Sequence, residues 1–519
     1  MKTRLTHKAR QAASALLTTL VICSILSIFV MYYLSLIDQQ SFLSARSQTW
    51  NLAITVTEAG VEDGMQHLNS NYPNLGVDGW SATGTGGYMR SNTLPGGNSY
   101  VAYVFITNAV NPVVVCRSYV TPPSNYAQNR SPSLFASVST GQAQTTAATS
   151  TTVSRAVQAT CSKMGLFNAA MVAKNNIDLN GNGITTDSFD STNPARSTNG
   201  QYDPAKYTGD KGDVATNLGV VDSLNAGNAN IYGIAHTGPN SASTAVAIGP
   251  NGGIGTHAWQ TSNKGIQPGH WVPDSNFTFP NTDLPSTSSG YVPPTSGIVI
   301  SVATVTSSTA PAAGTYVGSL QTTVAKNKTT YTYGVLTTNN YTQIFGSANG
   351  TSSGGKYVVD SIASSAIVTD PNVTIVVRNG MNMGSSDQFV LTKAYSELPS
   401  GVTPLQDASV TVYSGGTSCA ISGNGVLNQP GIAGNFILLC APTVTSFALN
   451  GNAGFTGVLV APSVALSMNG GGNNTIDFIG SVMANSITMN GHFNFHYDEG
   501  LLSNKNFGRF LITAWNEVK

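Results

Sequence analysis

A repeated pattern of apolar strands ending in Asn-Gly restricts the fold of this chain more than any other feature. It occurs in four segments: AMVAKNNIDLNG at 170–181, FILLCAPTVTSFALNG at 436–451, GVLVAPSVALSMNG at 457–470 and GSVMANSITMNG at 480–491. The last three Asn-Gly pairs begin at steps of 19 and 21 residues. This spacing predicts coils of a parallel β-helix, in which apolar residues stack inward and Asn-Gly provides positive φ at a corner.

One copy of the pattern precedes the others by about 250 residues. This gap predicts one β-helix over 166–500 that is interrupted by insertions. Weaker coils are predicted at 229–239, 245–255, 373–383 and 408–426. The segment 298–358 is predicted to be an insertion of hairpin strands. The aromatic tail 501–519 is predicted to cap the open end of the solenoid against edge pairing.

A second feature is an uncharged stretch of 27 residues from Gln11 to Ile37. An α-helix needs about 20 apolar residues to cross a bilayer, and a secretory signal has a shorter core of roughly 7–15 residues. The stretch is therefore predicted to be a retained transmembrane helix. The leader 1–10 carries four basic residues: Lys2, Arg4, Lys8 and Arg10. By the positive-inside rule we expect this leader in the cytoplasm and the bulk of the chain outside the bacterial inner membrane.

The helix is predicted to continue beyond the membrane as an amphipathic stem over 38–70. Its apolar stripe recurs at helical spacing: Leu43, Trp50, Ile54, Val61, Met65 and Leu68. Glu58 falls on this stripe, where a carboxylate is costly unless it is paired. Two roles remain open for Glu58: a contact to a partner subunit across a helix bundle, or a stripe edge exposed to water.

Residues 71–97 are rich in Gly, Ser and Thr and are predicted to be a linker. Alternating apolar runs within 98–165 predict a small antiparallel sheet, and the polar stretch 121–150 between them predicts a mobile loop. The predicted fold class is thus mainly β. It combines a long N-terminal transmembrane α-helix, a small antiparallel sheet, and an interrupted, right-handed parallel β-helix.

The order of the N-terminal segments resembles the N-terminal region of PilX-type minor pilins over residues 8–70. The resemblance rests on the basic leader, the run AASALLTTLVICSILSIFVMYYLSL, the polar stretch SARSQTWNLAI, and TEAGVEDGMQHLN, with Glu58–Glu62 as its sharpest part. The chain departs from most prepilins, because Ala13 and Ser14 replace the Gly at the cleavage boundary and Leu17 lies closest to the usual Glu position. The family implies a minor component of a type IV pilus or pseudopilus that binds other pilin subunits through its helix.

The segment 430–500 resembles a domain of unknown function at the C-terminus of large pilin-like and surface proteins. Charged residues make up 9% of the chain, and the formal net charge is zero. A nucleic-acid binder needs a basic face, so this balance excludes nucleic acid as a partner. Low charge with many Ser, Thr and Asn suits weak polar contacts, for example to surface glycans. No cofactor is predicted.

Five cysteines occur, and Cys23 lies within the apolar run. The other four would lie in an oxidising compartment, where three pairings are open to them. We favour Cys116 with Cys161 and Cys419 with Cys440, because each pair falls on nearby strand-like segments.

Two short patterns could bind metal. The segment Asp178–Gly183 matches the first half of an EF-hand loop, which makes four residues candidate calcium ligands: Asp178, Asn180, Asn182 and Asp187. Phe189 stands where the loop needs a bidentate Glu, and the alternative is a polar corner of a coil. His492 and His496 share a face of a strand, but they also fit the rim of a final coil.

A β-helix enzyme that cleaves polysaccharides needs grouped carboxylates, and the acidic residues of the repeat region are scattered. We therefore predict a structural protein and no enzyme. The alternative is a tethered polysaccharide-binding or polysaccharide-cleaving β-helix protein.

Overall fold

The computed structural model describes residues 4–518 apart from 73, 85, 107–110, 122–151, 165–166, 182, 349, 351, 353, 385, 396–405, 471–474 and 504–508. The mobile loop predicted over 121–150 thus lies, beyond residue 121, outside the described residues. The chain divides into two compact units. We call residues 1–164 with 508–519 the helical unit and residues 165–507 the solenoid unit.

The helical unit contains α1, an unbroken helix of 68 residues over Arg4–Asn71. It confirms the predicted helix through the apolar run and the stem. Within the described part of the chain, it is the one helix long and apolar enough to cross a membrane. Its apolar side chains between residues 14 and 37 lie open to solvent, as for Leu16 and Phe29, which are 73% and 68% exposed.

Five strands follow α1: β1 (Ser81–Ala82), β2 (Gly87–Thr93), β3 (Ser99–Phe105), β4 (Val113–Val120) and β5 (Val153–Met164). They pair antiparallel in chain order. Since β1 and β2 lie within 71–97, the predicted linker is wrong. Strand β2 pairs with β3 along its whole length, and the surrounding glycines concealed it in the sequence.

The second half of α1 packs against this sheet through two glycines. A Cβ atom at Gly60 would lie 2.2 Å from Cys116 Sγ, and one at Gly64 would lie 2.6 Å from Val114 Cγ1. A side chain at either position would therefore have to displace these side-chain atoms or push the helix away from β4. The other buried residues of this helix face include Ala53, Val56, Thr57, Val61, His67 and Leu68.

The predicted apolar stripe is wrong in its first half. Leu43 and Trp50 are 63% and 47% exposed, and the helix buries Ala45 and Thr49 instead. Small residues allow the backbone to approach the sheet more closely than the large apolar residues on which the prediction relied. Trp50 covers the guanidinium of Arg155, which lies 4.7 Å from the ring centroid.

The described residues of the solenoid unit form 27 strands in one continuous sheet. The first eleven are β6 (Met171–Ala173), β7 (Ile177–Leu179), β8 (Thr185–Phe189), β9 (Val214–Thr216), β10 (Leu224–Gly227), β11 (Asn230–Tyr232), β12 (Ala235–His236), β13 (Val246–Ile248), β14 (Gly253–Gly255), β15 (Gly265–Ile266) and β16 (Trp271–Val272). A hairpin insertion follows: β17 (Thr295–Ser307), β18 (Val317–Ala325) and β19 (Lys328–Phe345).

The remaining strands are β20 (Gly355–Val359), β21 (Ala366–Val368), β22 (Val373–Val377), β23 (Asn382–Met383), β24 (Phe389–Leu391), β25 (Val410–Ser414), β26 (Ser418–Ile421), β27 (Val426–Asn428), β28 (Phe436–Cys440), β29 (Ser446–Gly451), β30 (Phe455–Gly470), β31 (Ile476–Met489) and β32 (Phe493–Asp498). Short helices lie at α2 (His257–Gln260), Ser243–Ala245, Ala433–Asn435 and Glu499–Ser503.

Outside the hairpin these strands stack in parallel as three faces, which confirms the predicted parallel β-helix. The first face contains β20, β22, β25, β28, β6, β9, β12 and β16. The second contains β23, β26, β29, β7, β10 and β13. The third contains β21, β24, β27, β32, β8, β11, β14 and β15. Strands β30 and β31 bend across all three faces.

The two ends of the solenoid unit's chain meet inside the stack of coils. Strand β31 pairs with β32 on the third face, with β6 on the first and with β7 on the second. One turn of the helix, which we call the composite coil, is therefore made of β32 from the C-terminal part and of β6 and β7 from the N-terminal part. This arrangement explains why the segment 170–181 copies the pattern of 480–491.

The chain crosses from one end of the solenoid to the other between β16 and β17. This return segment, residues 273–294, contacts Asn217, then the carbonyl of Cys440, and then Tyr357. The antiparallel hairpin β17–β19 comes next, and β19 rejoins the parallel stack through β21. The antiparallel hairpin spans residues 295–345, whereas residues 355–358 of the predicted insertion at 298–358 lie in β20, a strand of the parallel stack.

Three successive coils stack through one residue type. Phe455, Phe478 and Phe495 form a buried column with centroids 4.6 and 4.4 Å apart. At the corner, a Cβ atom at Gly491 would lie 2.1 Å from the carbonyl oxygen of Gly470. A Cβ atom at Gly470 would lie 2.1 Å from the carbonyl oxygen of Gly451, and one at Gly181 would lie 2.1 Å from that of Gly491.

The predicted reason for these Asn-Gly corners is thus only partly right. Gly451 has a φ of +73°, but Gly470, Gly491 and Gly181 are not in the positive-φ region. What excludes a side chain at these three positions is the close approach of neighbouring coils. The asparagines also stack, as Asn490 Nδ2 donates to Asn469 Oδ1 at 2.9 Å.

The last strand, β33 (Arg509–Val518), returns to the helical unit. It pairs antiparallel with β5 and forms an edge of that sheet. The predicted cap at 501–519 is therefore wrong. Phe510 is buried and packs edge-on against Tyr72, while its backbone N–H donates to Asn69 Oδ1 at 2.7 Å.

Candidate functional site

A row of outward side chains crosses the third face of the solenoid from coil to coil. The strand register places Val390 beside Leu427, Thr456 beside Ile479, Ile479 beside His496, and His496 beside Asp187. Two insertions cover the ends of this row and leave its middle open. Leu427 in the middle is 40% exposed.

The hairpin covers one end of the row. Val299 and Ile344 from the hairpin form a small apolar cluster with Ile367 and Val390 from the coils. At the other end, the loop between β8 and β9 lays Tyr202 over His496, with ring centroids 3.6 Å apart and planes 20° apart.

Between these two covers lies a groove of about 750 Å³, continued by a second part of about 500 Å³ that reaches Asp477. Leu427, Thr456 and Ile479 line both parts.

Tyrosine, amide and hydroxyl side chains dominate the lining of the groove. The tyrosines are Tyr202, Tyr333, Tyr341 and Tyr395. The amides are Asn199, Gln201, Gln321, Asn339, Gln388, Asn428 and Gln429. Among the described lining residues, Lys393 is the one charged side chain of the first part and Asp477 the one of the second.

Two glutamines hold the walls of the groove together. Gln429 Nε2 donates to the carbonyl of Val302 in the hairpin at 3.0 Å, and its Oε1 accepts from the backbone N–H of Lys393 at 3.3 Å. Gln201 Nε2 donates to the carbonyl of Gln429 at 3.2 Å. Both insertions are therefore tied to the same coil, so the groove is preformed.

His496 lies under one wall with a carboxylate on each side. Its Nδ1 is 2.5 Å from Asp187 Oδ1, and Tyr202 Oη donates to the other oxygen of Asp187 at 2.8 Å. Its Nε2 lies 3.5 Å from Asp477, at the limit of a hydrogen bond.

Burial acts to lower the pKa of His496, but the two carboxylates outweigh it and raise that pKa above its ordinary value. Burial acts to raise the pKa of Asp477, yet His496 and Asn494 bring that pKa below its usual range.

This geometry suits binding better than glycoside cleavage. A general acid for cleavage needs a carboxyl group whose pKa is raised and which reaches the substrate. Asp477 opens onto the groove but has a lowered pKa, and Asp187 is only 5% exposed and is held by His496 and Tyr202.

The predicted calcium ligands do not converge. Asp178 accepts hydrogen bonds from Asn180 at 2.7 Å and from Asn225 at 3.0 Å on the second face, whereas Asp187 lies on the third face beside His496. Asn182 lies outside the described residues. Within the described ranges, no group of three His, Cys, Asp or Glu residues could hold a metal ion.

One of the two predicted disulfides is wrong. Cys116 faces Val157 in the antiparallel register, so Cys161 lies four residues further along β5, about 13 Å away at 3.3–3.4 Å per residue. A disulfide needs Cα atoms within about 7 Å. Each thiol instead faces α1, Cys116 at Gly60 and Cys161 at Met65 Sδ, 3.2 Å away.

Cys419 and Cys440 are both buried in the solenoid unit. Both are free thiols in the structure. Ser414 Oγ lies 3.2 Å from Cys419 Sγ, and Ser414 pairs in register with Cys440. The pairing of Cys419 with Cys440 therefore stays a prediction.

Glu58 is exposed on α1 and does not point into the core. It lines a groove of about 760 Å³ between the helix and β33. The apolar residues of this groove include Leu511, Ile512 and Trp515, which are between 40% and 47% exposed. Glu58 therefore lies at the edge of an apolar surface that is open to solvent. Both roles named for it stay predictions.

Residues 297–504 match a family described as a domain of unknown function, DUF7305. This match begins in the hairpin and ends just after β32, so it includes the hairpin wall and the floor of the groove. No curated protein and no solved structure matches the chain.

Sequence reasoning missed the groove altogether. A signal was present in the hairpin, where YTYGVLTTNNY contains three tyrosines among neutral polar residues. Tyrosines grouped in this way among neutral polar residues are typical of a binding surface. The other wall comes from the loop after β8, which carries Tyr202 and which no pattern linked to the hairpin.

Proposed function

We propose that this protein is a membrane-anchored, exported, pilin-like structural component of a bacterial envelope that displays a β-helix domain. The helix α1 is the observation that carries this proposal. Its apolar first part is exposed and fits a bilayer, while its second part packs against an antiparallel sheet. A helix that is half membrane anchor and half part of a globular head is the layout expected for a minor component of a type IV pilus or pseudopilus.

The resemblance of residues 8–70 to PilX-type minor pilins supports the same proposal. The basic leader favours a cytoplasmic N-terminus, and the bulk of the chain would then face the periplasm or the cell exterior. The partners would be the inner membrane and other pilin subunits, which α1 would contact through its exposed surfaces. Glu58 and the apolar groove beside β33 offer such a surface.

The test is mechanical shearing of cells, followed by mass spectrometry of the sheared filaments and of the membrane fraction. We expect the protein among the filaments, with an N-terminal peptide that starts near Ser14 if the leader is cut. Recovery of the intact Met1 terminus from the membrane fraction alone would contradict a pilus subunit.

A pair of variants sharpens the test of the helix. Glu58→Gln should lower the amount of protein in sheared filaments without lowering its total level, because an exposed carboxylate beside an apolar groove would pair with a neighbouring subunit. Asp360→Asn, at an exposed carboxylate in the solenoid unit, is the control and should have no effect. Equal incorporation of both variants would remove Glu58 from the proposed contact.

The alternative function, a tethered polysaccharide-cleaving enzyme, has less support because Asp477 is the one carboxylate among the described residues that line the groove. Assays of reducing ends released from neutral and acidic polysaccharides would detect cleavage. We expect none above the background of a vector-only preparation.

A further inference from the structure

We propose that the groove on the third face binds a neutral polysaccharide chain, with tyrosine rings against sugar faces and amide and hydroxyl groups on sugar hydroxyls. Every described residue that lines the groove belongs to the solenoid unit. The proposal therefore goes beyond the pilus assignment and does not depend on it.

The first argument is the position of the groove on the fold. Leu427, Thr456 and Ile479 come from three successive coils, so this part of the floor spans about 10 Å at about 4.8 Å per strand. The second part of the groove extends along the same coils to Asp477. Because the middle of the groove is open to solvent, it can hold a segment of a longer chain.

The second argument is charge. The one lysine and the one aspartate among the described lining residues lie in different parts of the groove and have opposite signs. A polyanion such as a nucleic acid or a polyuronate binds through several basic groups. The described lining residues therefore lack the several basic groups that a polyanion needs, which favours an uncharged ligand.

The third argument is the kind of polar group. Amides and hydroxyls both donate and accept hydrogen bonds, as sugar hydroxyls do. Tyrosine provides a rigid apolar face with a polar edge, which costs little conformational entropy on binding. Tyr333 and Tyr395 are both half-buried along the groove, so part of each is available to a ligand.

A purely apolar ligand fits less well. Leu427 and Ile479 are the main aliphatic side chains of the floor, and polar side chains form most of both walls. A lipid chain in this groove would bury amide and hydroxyl groups without partners, which is costly.

The test uses the full-length protein in detergent and titration calorimetry with defined oligosaccharides. The probes are cellohexaose, maltohexaose, mannohexaose and chitohexaose, with hexagalacturonate as the anionic comparison. We expect at least one neutral hexamer to bind and hexagalacturonate to bind about tenfold or more weakly. Binding to none of the four neutral hexamers, or preference for hexagalacturonate, would overturn the proposal.

Variants place the binding in the groove. Tyr333→Ala and Tyr395→Ala should each weaken binding by about tenfold, the loss of one ring contact, whereas Tyr333→Phe should keep most of the affinity. Tyr119→Ala is the matched control, since Tyr119 is 39% exposed on the helical unit. Circular dichroism checks that each variant is folded. Binding by folded Tyr333→Ala and Tyr395→Ala at the affinity of the unmodified protein would contradict a groove site.

Discussion

The helical unit and the solenoid unit are both held together by close backbone approach at glycine, but in different ways. In the helical unit, Gly60 meets Cys116 and Tyr100, and Gly64 meets Val114, so each glycine has its own partners. In the solenoid unit, Gly491 meets Gly470, which itself meets Gly451. The first core is a set of unique contacts, and the second repeats one contact from coil to coil.

This difference determines how much of the structure a substitution disturbs. A change in a repeated contact disturbs the coils on both sides, because each coil rests on its neighbours. A change in a unique contact disturbs one place between helix and sheet. The two units also form separate compact bodies, so calorimetry should resolve two unfolding transitions, and each variant below should move one of them.

The largest effect is expected from Phe478→Ala. Phe478 lies between Phe455 and Phe495 in the buried column, and removal of its ring should lower the free energy of unfolding of the solenoid unit by about 4 kcal/mol. Denaturant titration followed by circular dichroism measures the change. The half-buried Phe279 of the return segment serves as the control, and Phe279→Ala should cost less than half as much. Equal losses would show that the column does not act as a unit.

The next largest effect is expected from Gly491→Ala. The new Cβ would collide with a backbone carbonyl, which cannot rotate away, so two coils must separate, at a cost of about 3 kcal/mol. Gly84→Ala, at an exposed turn with nothing within 4 Å, is the control and should change stability by less than about 0.5 kcal/mol. A tolerated Gly491→Ala would mean that the coils can move apart freely.

A smaller effect is expected from Gly60→Ala in the helical unit. The Cβ would meet side-chain atoms of Cys116 and Tyr100, which can shift, and alanine favours the helix by about 1 kcal/mol. A net loss of about 2 kcal/mol should appear in the transition of the helical unit alone. A shift of the solenoid transition by the same variant would contradict the independence of the two units.

The smallest effect is a pH dependence of the solenoid unit. Because folding raises the pKa of His496, its contribution to stability is complete below its unfolded pKa of about 6.5 and is lost as the pH rises through the folded pKa. Unfolding at pH 6 and pH 9 should therefore show lower stability at pH 9. His496→Gln should remove this part of the difference. An identical pH dependence in the variant would assign it to other groups.

The parts of the fold that the sequence predicted are those with a local signal. The uncharged run predicted the first part of α1 because it is continuous over 27 residues, and the Asn-Gly pattern predicted the coils because it recurs at steps of 19 and 21 residues. The composite coil could not be predicted, since β32 and β6 lie more than 300 residues apart in the chain. The sequence of a coil does not show whether it pairs with a distant segment or with the segment that follows it in the chain.

The errors have the same cause. The position of β33 could not be predicted because its partner β5 precedes the whole solenoid unit in the chain. The register that separates Cys116 from Cys161 is not visible in the sequence of either strand alone. The groove depends on two insertions, separated in sequence by about 100 residues, that reach the same coils. The two insertions meet because of the order in which the coils stack, and the composite coil determines that order.

The composite coil also has a consequence for biogenesis. During synthesis, β6 and β7 emerge long before β31, the strand with which they pair. Until residues 476–489 arrive, the early coils present bare strand edges, which are ready templates for pairing with other chains. A newly made molecule thus passes through a period in which it is vulnerable to aggregation, and this period ends only when the last coils are complete.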